Sequence, residues 1–190
     1  GTTDITRTYP LGPLTEDEKR FYTWTLQSHI DLARAVWLDY CECKMIDTIA
    51  REPLWRHLIN YRCGTGHSVS FVGNVHEGPH ALNSRNTTRM RPGMVVTDEP
   101  GVYETDLVGI RIENELVCVH KADNQYGTFL GFEPLTFVPI ATSPILPGVL
   151  DKDEIAWLND YHRQVFAKLA PHLNDEERSW LAEKCAAIGC

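Results

Sequence analysis

The sequence predicts an α+β fold in which an antiparallel sheet and several helices occupy separate stretches of the chain. Two capped, helix-like segments come first, segments that alternate apolar and polar residues follow, and two more capped helices end the chain. At 190 residues, of which 43% are hydrophobic, the chain is long enough for one domain with a continuous core.

The first two helices are predicted from their start signals and their apolar spacing. Thr15 followed by Glu18 is a capping-box pattern, which predicts a helix from there to about residue 36. A second helix is expected over residues 44–58, and Pro53 within it predicts a kink or a break.

The middle of the chain predicts the sheet. Alternating segments indicate strands over residues 4–9, 68–72, 94–97, 109–120 and 128–140. A polar loop is expected at residues 83–91, and the run Asp-Asn-Gln-Tyr-Gly at 123–127 predicts a hairpin turn.

The end of the chain predicts a helical tail after a linker at residues 144–148. Asp151 caps a helix that should reach about residue 169, and Asn174 caps a last helix to about residue 187. We expect Trp157 and Trp180 to pack in the core of these helices.

Charge and cysteine content narrow the classes of partner and compartment. A net charge of −8 argues against nucleic acid or an anionic membrane as the main partner, and no apolar run is long enough to span a bilayer. The cysteines form no C-x-x-C motif, which predicts free thiols in a reducing cytoplasm, with a thiolate zinc site as the alternative. They are Cys41, Cys43, Cys63, Cys118, Cys185 and Cys190.

Four polar segments supply a candidate metal site. They are GTTD at 1–4, GTGHSVSFVGNVHEGP at 64–79, TDEPG at 97–101 and GIRIEN at 109–114. One imidazole together with three carboxylates suits Mn²⁺ and, less closely, Zn²⁺, Co²⁺ or Fe²⁺. A carboxylate-rich site suits two bridged ions and hydrolysis. The residue types indicate a metal site and no particular substrate.

The last of these segments also allows simpler interpretations. In a strand, Gly109, Arg111 and Glu113 would share one face, while Ile110 and Ile112 would face the core. Arg111 and Glu113 could then form a plain surface ion pair. Likewise, Glu99 alone would be interpreted as a solvated turn carboxylate.

The other histidines receive ordinary interpretations. His80 is close enough to His76 to be considered as a residue at the rim of the site. We expect surface or capping roles for the remaining ones, His29, His57, His120, His162 and His172.

Four motifs, GTTDITRT, GTGHSVSFVGNVHEGP, VVTDEPGVYE and GIRIENE, occur in an order and spacing that resemble a known family. They are similar to the catalytic domain of the aminopeptidase P family, a branch of the creatinase/methionine-aminopeptidase metallopeptidases (M24). The tail from FLGFEPLTFVPI onward resembles the end of that domain. The resemblance implies a pita-bread fold, a curved sheet flanked by helices, within one partial domain. Residues 1–140 would form its metal-site core and residues 150–190 its helical tail.

The resemblance also implies the roles of individual residues. His76 would contact the substrate near the scissile bond, Arg111 would belong to the wall of the active site, and Glu99 would accept a proton during hydrolysis. The implied metal ligands are Asp4, His67, Glu99 and Glu113.

The activity implied is release of an N-terminal residue from peptides whose second residue is proline. Two divalent ions, Mn²⁺ or alternatively Zn²⁺ or Co²⁺, would hold a bridging hydroxide. A prolidase that acts on Xaa-Pro dipeptides is one alternative, and a catalytically silent relative with a binding or scaffold role is another. The apolar faces of the last helices offer a contact for a homodimer.

The sequence departs from the family pattern in three places. The family's earlier aspartate ligand would lie eleven residues before Asp4 and so precede Gly1, which predicts a domain truncated at its N-terminal side and an impaired second metal site. Cys63 occupies the position of a family histidine, four residues before His67, and this should alter the substrate wall. Ser68 and Ser70 replace glycines.

Overall fold

A computed structural model describes residues 2–189, so the expectations that involve Gly1 and Cys190 lie outside it. The helices are α1 (Glu16–Ala33), α2 (Cys43–Trp55), α3 (Lys152–Leu169) and α4 (Asp175–Lys184), with a 3₁₀ turn at Ala170–His172. The strands are β1 (Val36–Leu38), β2 (Gly66–His67), β3 (Ala81–Leu82), β4 (Val95–Asp98), β5 (Gly101–Glu104), β6 (Val108–Arg111), β7 (Asn114–Asn124) and β8 (Gly127–Pro134).

The predicted α+β class is confirmed. An antiparallel sheet in the order β1-β8-β7-β4 is accompanied by two ribbons, β2–β3 and β5–β6. One hydrophobic core lies between this sheet and the first two helices, and a second joins α1, β6 and the C-terminal helices. Of the helices in the described part of the chain, none has the length and apolar character that a bilayer span requires.

The starts predicted for α1, α3 and α4 are confirmed, and each of these three is encoded by local capping. Reciprocal capping boxes join Thr15 to Glu18, and the same arrangement begins α3 and α4 at Asp151 and Asn174. The helix ends were less accurate. Since Trp37 is buried in the first core, the chain leaves α1 early and forms β1, a strand that was not predicted. Of the kink or break predicted at Pro53, the break is wrong because α2 continues to Trp55, and the kink stays a prediction.

Three strand predictions need correction. The strand predicted at 68–72 is wrong, because β2 ends at His67. Phe71 and Val72 are 88% and 84% exposed, so these apolar side chains do not pack in a core. The strand at 109–120 is two strands in different sheets, interrupted at residues 112–113. The strand at 128–140 ends at Pro134.

The predicted strand at residues 4–9 is reduced to one bridge between Thr6 and Glu113. Beside it, the Thr8 hydroxyl donates to the Arg111 carbonyl at 2.8 Å and accepts from the Arg111 amide at 3.1 Å. A side chain therefore replaces backbone pairing, and the segment still packs along the end of the sheet.

Several interpretations of single residues were also wrong. His29 and His162 are fully buried rather than surface groups, because α1 and α3 are enclosed by the second core. Trp180 is 55% exposed, whereas Trp157 packs against both cores. The expected core positions of Ile110 and Ile112 are confirmed. The cysteines within residues 2–189 are free, as predicted.

Candidate metal centre

Asp4, His67 and Glu113 meet at the end of the sheet. One ligand atom from each lies within 4.8 Å of the others. Nε2 of His67 is 3.3 Å from Oδ2 of Asp4 and 3.1 Å from Oε1 of Glu99. All four residues proposed as ligands from the sequence therefore come together, although they belong to four separate segments.

The position of His67 depends on the glycine before it. A Cβ atom at Gly66 would lie 1.7 Å from the Thr97 carbonyl oxygen, so only glycine lets β2 approach β4 this closely. The His67 amide then donates to the Thr97 hydroxyl at 3.0 Å. Close packing of two strand ends thus places the imidazole among the carboxylates.

The orientation of the His67 ring leaves one nitrogen free for a ligand. Nδ1 is 3.1 Å from the Ser68 carbonyl oxygen, which can only accept a hydrogen bond, so Nδ1 carries the proton. Nε2 is consequently the lone-pair nitrogen, and it faces Asp4 and Glu99. A backbone carbonyl that fixes the tautomer in this way is usual for histidines that bind metals.

Glu113 is a carboxylate buried at the bottom of the site, only 2% exposed. Its Oε2 accepts a short hydrogen bond from the Thr6 hydroxyl, and its Oε1 has no hydrogen-bond partner within the described residues. Burial, with a smaller contribution from the Asp4 charge, raises the pKa of this carboxyl, while Thr6, Arg111 and His67 oppose that shift. A buried oxygen without a partner is the kind of group that a bound cation would satisfy.

Glu99 lies at the mouth of the same cluster and is held on several sides. Its amide donates to the Thr65 carbonyl at 2.7 Å, and the Thr97 hydroxyl donates to its Oε1 at 3.0 Å. Its Oε2 forms an ion pair with Arg111, whose Nε donates to the Tyr103 hydroxyl at 2.7 Å. The surface pair between Arg111 and Glu113 is therefore replaced by a pair between Arg111 and Glu99.

His76 approaches the cluster from an exposed loop. Its ring centroid is 4.1 Å from that of His67, although the residues around it are mostly exposed. His80 does not line the rim: it is buried, and its Nε2 donates to the Val95 carbonyl at 2.8 Å. The Cys63 thiol lies at the side of the cluster, 4.0 Å from Nη2 of Arg111.

Sequence reasoning missed two hydroxyl residues, Thr6 and Thr97, that hold the candidate ligands. Thr6 contacts Glu113, and Thr97 contacts both His67 and Glu99. Alternation could have indicated them, since Thr6 is two residues from Asp4 and Thr97 is two residues from Glu99, and such pairs share a face.

The residues present fit a divalent metal ion. Three carboxylates and one imidazole with a free nitrogen converge, and one of the carboxylate oxygens is buried with no partner in the described part of the chain. Hard divalent ions such as Mn²⁺ take this donor set, and Zn²⁺ also binds it.

Comparison with protein families identifies the chain. Residues 1–120 match the model described as metallopeptidase family M24, and residues 128–188 match the C-terminal region of peptidase M24. The chain belongs to metallopeptidase family M24. This confirms the family that the four sequence motifs resemble. The range matched by the M24 model, residues 1–120, contains every candidate ligand.

Individual M24 relatives and structures agree. The chain is 41% identical over 195 residues to aminopeptidase P1 of Lotus japonicus, covering 100% of this chain and 30% of that protein. A cytosolic X-prolyl aminopeptidase of Caenorhabditis elegans, described as having a di-nuclear active site, matches with a TM-score of 0.93 and 39% identity, over 99% of this chain and 32% of that one. The expected pita-bread fold is thereby confirmed.

A more distant structural match is the Xaa-Pro dipeptidase from Bacillus anthracis. It has a TM-score of 0.61 and 27% identity, over 73% of this chain and 36% of that one. This M24 chain thus spans about a third of the length of the proteins it matches.

Proposed function

We propose that this M24 chain contributes the metal-binding part of an Xaa-Pro aminopeptidase active site. The observation that carries the proposal is the convergence of Asp4, His67 and Glu113, with the buried Oε1 of Glu113 left without a partner among residues 2–189. The similarity to proteins called aminopeptidase P, and to an X-prolyl aminopeptidase over nearly the whole chain, supports the substrate class.

Asp4, His67, Glu99 and Glu113 would supply the protein ligands of one divalent ion. Ions bound at such a site lower the pKa of a water molecule and polarise a carbonyl group. We propose Mn²⁺ as the ion because carboxylates dominate the donor set, with Zn²⁺ or Co²⁺ as alternatives. A second ion, as in the di-nuclear C. elegans enzyme, would share these carboxylates and need further donors.

The chain's own side chains would then handle the substrate and the proton. Glu99 lies at the mouth with one oxygen near His67, so it is the carboxylate best placed to accept a proton from the attacking water. His76, beside His67 on an exposed loop, would donate to the scissile carbonyl oxygen as charge develops there. Arg111 would hold Glu99 in place and form the wall of the substrate cleft.

The substrate would be a peptide with proline in the second position, whose imino nitrogen lacks the N–H of other residues. An Xaa-Pro dipeptidase is the second candidate, supported by the match to the B. anthracis enzyme. The aminopeptidase match has the higher TM-score and covers more of the chain, which favours activity on peptides longer than a dipeptide. We also propose a cytosolic location, as described for the C. elegans enzyme.

The test combines metal content with hydrolysis. After reconstitution with Mn²⁺ and desalting, elemental analysis should give at least about one Mn²⁺ ion per chain. The Glu99→Ala variant, treated in the same way, should retain no Mn²⁺. The loaded chain is then incubated with Arg-Pro-Pro, Arg-Pro and Arg-Ala-Ala. Release of arginine from Arg-Pro-Pro alone supports the aminopeptidase, and release from Arg-Pro alone supports the dipeptidase. A folded chain that binds Mn²⁺ but cleaves none of them would favour a silent relative, and a chain that binds no Mn²⁺ would refute the metal centre.

A further inference from the structure

Behind the two glutamate ligands lies a buried chain of polar side chains. Asp98 and Asn114 are direct partners across β4 and β7, both fully buried. Glu99 immediately follows Asp98, and Glu113 immediately precedes Asn114. Each candidate ligand is thus the chain neighbour of one member of this pair, at the end of the sheet. Because successive side chains point to opposite faces in extended backbone, we expect the ligands to point to one side and Asp98 and Asn114 to the other.

His29 of α1 joins the two members of this pair. Its Nδ1 is 3.1 Å from Oδ2 of Asp98, and its Nε2 is 3.4 Å from Nδ2 of Asn114. The imidazole is itself fully buried. Neither the Asp98 oxygens nor Nδ1 of His29 has a well-aligned hydrogen bond within residues 2–189, so the 3.1 Å approach of Nδ1 to Oδ2 is the polar contact that this buried carboxyl group makes with His29.

Arg7 fixes the orientation of the Asn114 amide and, through it, the tautomer of His29. Its guanidinium can only donate, so the Asn114 oxygen that lies 2.7 Å from Nη2 must be the acceptor, and the Asn114 amide nitrogen must face His29. That nitrogen can only donate, so Nε2 of His29 accepts. The imidazole proton is therefore on Nδ1, directed at Asp98. A permanent cation at one end thus sets the tautomer of a histidine two groups away.

The same arginine also holds the segment that carries Asp4. Nη1 of Arg7 donates to the carbonyl of Glu113 at 2.7 Å and to that of Thr6 at 2.9 Å. The Thr6 hydroxyl in turn contacts the Glu113 carboxylate. Three of the four candidate ligands, Asp4, Glu99 and Glu113, therefore emerge from backbone that this polar chain joins.

We propose that the series Arg7–Asn114–His29–Asp98, in which Arg7 is half-buried and the other three residues are fully buried, is a positioning device that sets the spacing of the carboxylate ligands. Its members do not touch the substrate or supply a ligand. They lock the ends of β4 and β7 and the segment around Thr6 into one arrangement, so that the ligands are held apart at a fixed distance before any ion arrives. This inference rests on the proposed metal centre.

His29 offers the sharpest test because its neighbours allow a conservative substitute. His29→Leu removes both hydrogen-bonding atoms and leaves Asp98 buried without compensation. His29→Gln can donate to Asp98 through its amide nitrogen and accept from Asn114 through its amide oxygen. His162→Leu is the matched control, since His162 is equally buried but its Nε2 accepts from the Ile140 amide, away from the ligands.

Mn²⁺ affinity of each folded variant is measured by electron paramagnetic resonance of the free ion, with circular dichroism as a check of folding. We expect His29→Leu to weaken Mn²⁺ binding about tenfold or more, the range found for groups that orient metal ligands. His29→Gln and His162→Leu should stay within about threefold of wild type. Equal losses in His29→Leu and His162→Leu, or no loss in either, would overturn the positioning role.

A second measurement applies even if His29→Leu does not fold. Nitrogen-15 spectra of the histidine rings in the wild-type chain should show His29 neutral and protonated at Nδ1. A ring protonated only at Nε2 would overturn the series of hydrogen bonds. A wild-type chain that shows this tautomer but binds no Mn²⁺ would refute the metal centre, and the positioning proposal with it, whereas normal Mn²⁺ binding in His29→Leu would refute the positioning proposal alone.

Discussion

The two histidines of the site, His67 and His76, are in ring contact but belong to regions built in different ways. His67 ends a strand whose neighbours approach at backbone distance, and hydrogen bonds fix both its amide and its ring. His76 belongs to the loop between β2 and β3, where Phe71 and Val72 are almost fully exposed. The comparison indicates that close packing positions the region around His67, called the metal side after its proposed role. The region around His76, the proposed substrate side, is a loop with few buried contacts.

The largest effect should come from Gly66, where the metal side is packed most closely. In Gly66→Ala, the new methyl group would meet the Thr97 carbonyl oxygen at 1.7 Å, and β2 and β4 would have to separate. We expect a loss of about 3 kcal/mol or more in the free energy of unfolding, measured by urea denaturation.

Gly64→Ala is the matched control for this variant. Its methyl group would lie 3.6 Å from the Leu82 carbonyl oxygen, an ordinary contact, so a change within about 1 kcal/mol is expected. Similar stability for the two variants would mean that β2 does not depend on this close approach.

A second prediction separates the two histidines directly. His67→Ala removes a ligand nitrogen and should weaken Mn²⁺ binding by about 100-fold or more, beyond what groups that only orient ligands contribute. His76→Ala leaves the ligands in place and should change Mn²⁺ affinity by less than about threefold, or ~0.7 kcal/mol. Isothermal titration of the metal-free chains with Mn²⁺ measures both. A large loss in His76→Ala would make His76 part of the metal side.

The sequence predicts the parts of this molecule that depend on neighbouring residues. Capping boxes at Thr15, Asp151 and Asn174 begin three helices, because each cap is complete within four residues of chain. The four motifs indicate the candidate ligand residues through resemblance, and the structure brings those residues together.

What the sequence could not predict depends on distant partners. Residues 68–71 alternate polar and apolar side chains as a strand would, but Phe71 and Val72 are almost fully exposed. Nothing near His29 in the sequence indicates that it faces Asp98, since the two are brought together only when α1 lies behind β4. The break between β6 and β7 at residues 112–113 could not be predicted either, because the sequence alternates without interruption there. Glu113, a candidate ligand, lies in this break.

The last prediction uses pH to separate a buried carboxylate on the metal side from an exposed one on the loop. In the metal-free chain, burial raises the pKa of Glu113 above the value of about 4.3 for an unfolded chain. Well below pH 4 the group is neutral in both states. As the pH rises from about 4.3 towards the higher folded-state pKa, the unfolded chain releases the proton that the folded chain still holds, so the free energy of unfolding falls.

Glu113→Gln removes this pH-dependent loss. The metal-free variant should therefore be more stable than wild type at pH 7, by on the order of 1 kcal/mol, and the difference should shrink towards zero as the pH falls to 4. Saturating Mn²⁺ should reverse the order, because only the wild-type carboxylate stabilises a bound cation. Glu77→Gln, at an exposed position of the loop, should match wild type at every pH with and without Mn²⁺. Thermal unfolding followed by circular dichroism from pH 4 to 8 provides the measurement. If Glu113→Gln and Glu77→Gln followed the same curve, the Glu113 carboxylate would be no more costly to bury than a surface charge, and the contrast between the two sides of the site would not hold.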